Sequence, residues 1–239
     1  MKCCCCGAEL DSVLHCPVCG ASHKTVCPNC IAEISDRAGS CRICGEERIP
    51  AWNVSREEMK RLGIHAFMPY RMERNNDIYL GGNRDNGGYD FQNYVGYHGE
   101  LREKIVLPGL VESLPVFGIW NEFFCLGSEF APNTYRQTFE RMSRLKIIEV
   151  GNGTREIFTY AFYGCCGLER LILPRTLKTL YYDFYDLFTD GEKPMQNGVF
   201  KTPVTIEYRG SREEWERIGK TSRILDYIKM GKIVMQYNQ

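Results

Sequence analysis

Residues 145–180 read LKIIEVGNGTREIFTYAFYGCCGLERLILPRTLKTL, and one pattern occurs in them twice. The second copy is Leu168-x-x-Leu171-x-Leu173-Pro174-x-x-Leu177-x-x-Leu180. The first is Leu145-x-x-Ile148-x-Val150-x-x-x-Thr154-x-x-Ile157, set 23 residues earlier. The segments ahead of each copy align as well, with Tyr135, Phe139 and Met142 matching Phe158, Phe162 and Cys165. Alternation at the paired apolar positions predicts a short strand with one buried face. The turn that follows packs beneath it, and the aromatic segment makes the opposite wall. A single unit of this kind cannot bury its own apolar face, but stacked units can.

Working outward, Ile105-x-Leu107-Pro108-x-x-Val111-x-x-Leu114 reads as an earlier copy, 43 residues before the first and carrying an insertion. Val204-x-Ile206 reads as a later, degenerate copy at an offset of 33, with the polar stretch 189–198 inserted. The spacing therefore predicts an α/β solenoid: a short parallel strand ladder, an irregular or helical outer wall and a helical C-terminal cap. Residues 211–219 (SREEWERIG) mirror 55–63 (SREEMKRLG). Each has a Ser cap, an acidic first turn, two apolar residues and a terminal Gly, and reads as a cap over an otherwise exposed core end. The tail offers one more short helix around Ile224, Leu225 and Ile228, closed by Gly231, and a strand at Ile233–Met235.

The unit Phe158-Thr-Tyr-Ala-Phe-Tyr-Gly-Cys165-x-Gly-Leu168-x-x-Leu-x-Leu-Pro174 resembles the BspA-type leucine-rich repeat family. A strand followed by a Gly-Ser-x-x-Glu-Trp helix, here Thr205–Tyr208 then Gly210–Trp215, fits the same family. The resemblance covers about 101–219 and implies a scaffold that binds protein or ligand, with no catalytic residues to carry over. The chain departs from the family in having few intact repeats and two insertions, which implies a short, interrupted concave surface.

The other strong signal lies at the N-terminus, where ten of the thirteen cysteines fall within the first fifty residues. Eight make four C-x-x-C pairs: Cys3/Cys6, Cys16/Cys19, Cys27/Cys30 and Cys41/Cys44. Each pair presents two thiolates to one metal from one tight turn, and two pairs complete a tetrahedron. Gly7, Gly20 and Gly45 each follow a second cysteine, where a knuckle turn calls for positive φ. Gly7 thus favours Cys3 with Cys6, although Cys4 and Cys5 leave the first ligand open. Short loops between pairs favour one site from Cys3, Cys6, Cys16 and Cys19 and a second from Cys27, Cys30, Cys41 and Cys44. Interleaved pairing and disulfides are the alternatives. His15 and His23 lack pair spacing and read as surface residues. A ribbon of about 20 residues has too little core to fold alone, so two structural zinc ions are expected to supply the folding energy.

Cys16-Pro-Val-Cys19-Gly20 and its three looser counterparts resemble the double zinc ribbon family over residues 1–46. The knuckles at Cys3 and Cys41 lack the proline, and Cys27-Pro-Asn-Cys30 is followed by Ile31 rather than glycine. The resemblance implies zinc but no single function, because such ribbons serve nucleic-acid, protein and structural roles.

Charge weighs against nucleic acid. The chain has thirty basic and thirty acidic residues. Residues 1–50 carry Lys2, Lys24, Arg37, Arg42 and Arg48 against Glu9, Asp11, Glu33, Asp36, Glu46 and Glu47. Each four-thiolate zinc adds roughly two further negative charges, where phosphate contacts need clustered Lys and Arg. No apolar run approaches the ~18 residues of a spanning helix. MKCCCCGAEL lacks an apolar secretory core, so a cytoplasmic, reducing setting is expected, and with it thiolates rather than disulfides.

Residues 47–63 read as a linker and a short helix capped by Ser55 with Glu58 and ended by Gly63. The Asn/Gly/aromatic segment 74–99 reads as turns joining short strands. The sequence contains no phosphate loop, nucleophile elbow, zincin motif or dinucleotide fingerprint. Cys165 fills a small core slot, and Cys125 and Cys166 lack an activating motif. The reading is a double zinc ribbon (1–46), a connecting segment (47–100) and a leucine-rich-repeat domain with C-terminal cap (101–239). It describes a non-enzymatic protein-binding scaffold. A nucleic-acid-binding ribbon protein is the first alternative and a surface adhesin the second.

Overall fold

The computed structural model describes residues 8–9, 16, 18, 22–27, 40–45, 49–64, 66–67, 78–80, 102–119, 144–158, 161–162, 165, 167–180, 203–220 and 222–238. Among these the architecture is mixed α/β, with two sheets rich in parallel strands and three short helices. The first elements are β1 (Ser22–Val26), β2 (Ile49–Val54), α1 (Arg56–Leu62), β3 (Ala66–Phe67) and β4 (Ile78–Leu80). The repeat region supplies β5 (Lys104–Val106), β6 (Leu110–Val111), β7 (Leu114–Ile119), β8 (Ile147–Glu149), β9 (Glu156–Ile157), β10 (Arg170–Leu173) and β11 (Thr179–Leu180). The chain ends with β12 (Val204–Tyr208), α2 (Arg212–Arg217), β13 (Gly219–Lys220), α3 (Ser222–Lys229) and β14 (Ile233–Tyr237).

Strands β5, β8, β10, β12 and β14 lie side by side in chain order, every pair parallel. The register places Ile105, Ile148, Leu171, Ile206 and Met235 in one transverse row. The first four belong to the repeat copies read from sequence. Ile148, Leu171 and Ile206 are fully buried, each contributing about 1.5–3 kcal/mol of apolar transfer free energy. A second parallel run, β7, β9, β11 and β13, aligns Ile119, Ile157, Leu180 and Lys220. Ile119, Ile157 and Leu180 join the first row in a common apolar core. Between the two runs the chain makes tight turns, Thr154 N–H to Gly151 C=O (3.2 Å) in one copy and Leu177 N–H to Pro174 C=O (3.1 Å) in the next. The N–H groups of Ala161, Cys165 and Leu168 donate to the C=O groups of Phe158, Phe162 and Cys165, and Cys165 is buried as expected.

Two alignments differ from the sequence reading. Leu171 pairs with Ile206 and Leu173 with Tyr208, so the last copy is offset by two residues from the expected match of Leu171 with Val204. A shift of two keeps every side chain on its face, and the apolar pattern alone does not detect it. In the first copy Ile157 lies beside Ile119, not Leu114. The extra residues form a hairpin between β6 and β7, turned at Glu112 (φ 50°) and Ser113 (φ 71°). Two consecutive left-handed residues match the right-handed twist of the flanking strands. Ser113 N–H donates to Asn53 Oδ1 at 2.7 Å, and Glu112 N–H to Val54 C=O at 2.8 Å.

The stretch before the first helix, read as a linker, contains β2, which joins the sheet parallel to β6 through Asn53 and Val54. Asn152 ties it to the repeats by donating Nδ2–H to Pro50 C=O at 2.7 Å. The tie brings backbone against backbone. A Cβ on Gly109 would lie 1.6 Å from the Asn152 carbonyl oxygen, and one on Gly153 (φ +119°) would lie 2.4 Å from the Gly109 carbonyl oxygen. Of the segment 74–99, the described residues 78–80 form β4, paired with β3 and β7. The aromatic positions 135, 139 and 142 and the polar insertion 189–198 lie outside the described residues.

The two look-alike helices form as read but end differently. Ser55 Oγ accepts from Glu58 N–H (3.1 Å), and Gly63 closes α1 in the left-handed conformation (φ 68°). Ser211 and Glu214 complete a reciprocal capping box on α2, which satisfies two otherwise orphaned amides. The matching glycine, Gly219, does not cap α2 but enters β13 beside Thr179, because the chain must run straight into the second ladder. The last carbonyls of α2 are met instead by Lys220 Nζ, 2.7 Å from Trp215 O and 3.2 Å from Glu216 O. Trp215 is buried with its ring 5.5 Å from that of Tyr208. Helix α3 buries Ile224 and ends at Gly231 (φ 69°). It leads into β14, a fifth member of the first ladder.

Candidate metal centre

The chain enters the site from β1 and leaves it into β2. These strands pair antiparallel, with Val26 opposite Ile49 at one end of the ribbon. Cys27 follows Val26 directly, so the strand pair fixes where its sulfur sits. Residues 41–45 form a knuckle: Gly45 N–H donates to Cys41 C=O (2.9 Å) and Ile43 N–H to Cys41 Sγ (3.4 Å). Gly45 has φ +77°, the left-handed conformation anticipated for a glycine after a second cysteine. Amide donors aimed at sulfur stabilise thiolate and orient it as a ligand.

These two pieces bring Cys27, Cys41 and Cys44 together, with all three Sγ atoms within 4.8 Å of one another. Cys27 Sγ lies 3.2 Å from Cys44 Sγ. Cys27 and Cys41 are buried and Cys44 is exposed. Sulfurs at this spacing can share one metal ion at bonds of about 2.3 Å. The arrangement draws cysteines from two different C-x-x-C pairs, both of them assigned to the second expected site. Its fourth expected ligand, Cys30, lies outside the described residues.

Of the first expected site only Cys16 is described. It is 2% exposed and joins the main apolar core that also contains Trp52 and Val54. Cys3, Cys6 and Cys19, together with Cys4, Cys5 and His15, lie outside the described residues, as does the position of Cys125 and Cys166.

The open face of the first ladder is a second candidate surface. Lys104, Ile147, Arg170, Thr205 and Val234 form one transverse row on it, and Val106, Glu149, Ile172, Glu207 and Gln236 the next. Glu149 is 3% exposed and is held by Lys104 Nζ at 2.6 Å and Arg209 Nη2 at 2.5 Å. Arg170 pairs with Glu207 on the adjacent strand. Lys146 meets Glu169 at 2.9 Å. Sequence periodicity placed the strands but not these pairs, which depend on residues distant in the chain meeting across the ladder. Glu149, an acid within an otherwise apolar run, was the available signal.

No helix among the described residues is long and apolar enough to cross a membrane. No family model, curated protein or solved structure matches the chain.

Proposed function

We propose that the chain is a non-catalytic protein-binding scaffold. In this reading it is a short leucine-rich-repeat solenoid of BspA type, joined to an N-terminal double zinc ribbon. The observation that carries it is the open face of the five-stranded ladder, where in-register rows place charged, polar and apolar side chains on consecutive strands. Arg170 and Gln236 are exposed there, and Val234 is 44% exposed. Such a face offers fixed side-chain spacing to a partner's surface without any backbone rearrangement. Two zinc ions are the metals of this reading, one of them at Cys27, Cys41 and Cys44 with Cys30, and both structural. Four thiolates close a zinc site to substrate. A cytoplasmic setting keeps the thiols reduced.

The test is affinity capture with the full chain followed by mass spectrometry, run beside an Arg170→Glu/Gln236→Arg variant. A specific protein captured by the native chain and lost at least about tenfold in the variant supports the reading, since a like-charge or steric clash at the centre of an interface costs more than 1.4 kcal/mol. Equal capture by both, or retention of RNA or DNA in place of protein, overturns it.

A further inference from the structure

We propose that Cys27 and Cys44 are a peroxide-oxidisable pair, and that joining their sulfurs as a disulfide empties the metal centre. The inference rests on the metal-binding reading of this cluster and adds its regulation. Three observations point to this pair. Cys44 is the exposed member of the cluster, while Cys27 and Cys41 are buried, so a small hydroperoxide meets Cys44 first. Cys27 Sγ lies 3.2 Å from Cys44 Sγ, close enough to resolve the oxidised sulfur after a small side-chain rotation. Cys41 Sγ is engaged by the Ile43 amide inside the knuckle, and that bond holds it in the ligand orientation.

The chemistry balances with a hydroperoxide as the oxidant. The Cys44 thiolate attacks one peroxide oxygen and breaks the O–O bond. One oxygen leaves as hydroxide and is protonated to water; the other stays on sulfur as sulfenic acid. The Cys27 thiolate then attacks the Cys44 sulfur, forms the S–S bond and expels hydroxide, which is protonated to a second water. Two thiolates are oxidised by two electrons and one hydrogen peroxide is reduced to two waters. The centre loses two anionic donors, and an ion held by thiolates leaves with them. The Cys27 end of β1 is then tied to the knuckle by a covalent bond in place of a metal bridge.

The experiment uses the full chain loaded with zinc and measures its metal content before treatment. Hydrogen peroxide is then added while a chromogenic chelator records zinc release, and non-reducing peptide mapping by mass spectrometry identifies the linked cysteines. The expected result is a Cys27–Cys44 linked peptide, with about one zinc lost per disulfide formed and rebinding after dithiothreitol. A dominant Cys27–Cys30 or Cys41–Cys44 link, sulfinic acid on Cys44 without a link, or zinc retained at full occupancy after peroxide overturns the proposal. A chain that takes up no zinc before peroxide overturns the metal reading itself. Peptide mapping of that metal-free chain still decides whether Cys27 and Cys44 couple.

Discussion

Arg209 reaches across strand β10 to set its Nη2 2.5 Å from Glu149 Oε1. Glu149 stands on β8 and Arg209 just beyond β12, so the contact spans three strands of the ladder. Ile172, which sits between Glu149 and Glu207 in the same row, is 4% exposed, so it and Glu149 make a buried patch on the outer face. A carboxylate this buried is tolerated because Lys104 takes its other oxygen, leaving neither oxygen unpaired.

Glu149→Gln is therefore expected to lower unfolding free energy by about 1–3 kcal/mol. The loss falls short of the about 3–5 kcal/mol of a fully buried pair, because Arg209 and Lys104 stay partly exposed and keep water. Urea unfolding of Glu149→Gln, Arg209→Gln and the double variant measures the coupling, expected at about 0.5–3 kcal/mol. Additive effects of the two changes would contradict the contact.

Gly109→Ala is expected to prevent folding or cost more than about 4 kcal/mol, because the new methyl group meets the backbone of Asn152 with no side chain able to yield. Gly231→Ala is the control. Its φ of +69° strains any L-residue but its Cβ meets open space, so about 1–2 kcal/mol is expected. Thermal unfolding of both variants distinguishes close approach from conformational strain.

Burial pushes the Tyr208 phenol up to about 12, assisted by the Glu214 carboxylate and opposed by Arg175. The unfolded phenol ionises near pH 10. Between these values the unfolded chain has released the proton and the folded chain still holds it, so stability is present below pH 10 and falls as pH rises toward 12. Replacement by Phe removes this contribution. The stability difference between wild type and Tyr208→Phe is expected to shift against wild type from pH 9 to 11 in urea unfolding. Glu214 sets the acid side. Burial raises its carboxyl, but the Ser211 N–H and the Arg175 guanidinium outweigh this and hold it below the ordinary 4.5. Its contribution is present above pH 4.5 and is lost as pH falls through the lowered value.

The sequence made the strand rows legible where apolar alternation meets a fixed period, at Ile148 and Leu171. It also located the helix starts at Ser55 and Ser211 and the left-handed glycines Gly45, Gly63 and Gly231, because each follows from local chemistry. Registers through Ile206 and Ile119 were misplaced. A two-residue slip leaves the buried face unchanged, and the Glu112–Ser113 turn carries no glycine to announce its positive φ. The role of β14 as a fifth ladder strand and of β2 as a sheet member depends on pairing between distant segments, which no local pattern records. At the candidate metal centre the spacing of cysteines named Cys27, Cys41 and Cys44. Their unequal exposure came only from the fold.

Cys41→Ser is expected to lower bound zinc by about one ion per chain, since a neutral hydroxyl would replace one thiolate of the proposed four-cysteine site. Far-ultraviolet circular dichroism of the repeat region should change little, because Cys41 lies outside the main apolar core. Elemental analysis with spectroscopy on the same sample checks both statements.

The most direct test of a metal-stapled N-terminus on a repeat scaffold is native mass spectrometry of the full chain, paired with a thiol count after denaturation. The account predicts about two zinc ions per chain and cysteines that all react as thiols once the metal is chelated. A chain free of metal whose N-terminal cysteines are already joined as disulfides would contradict it.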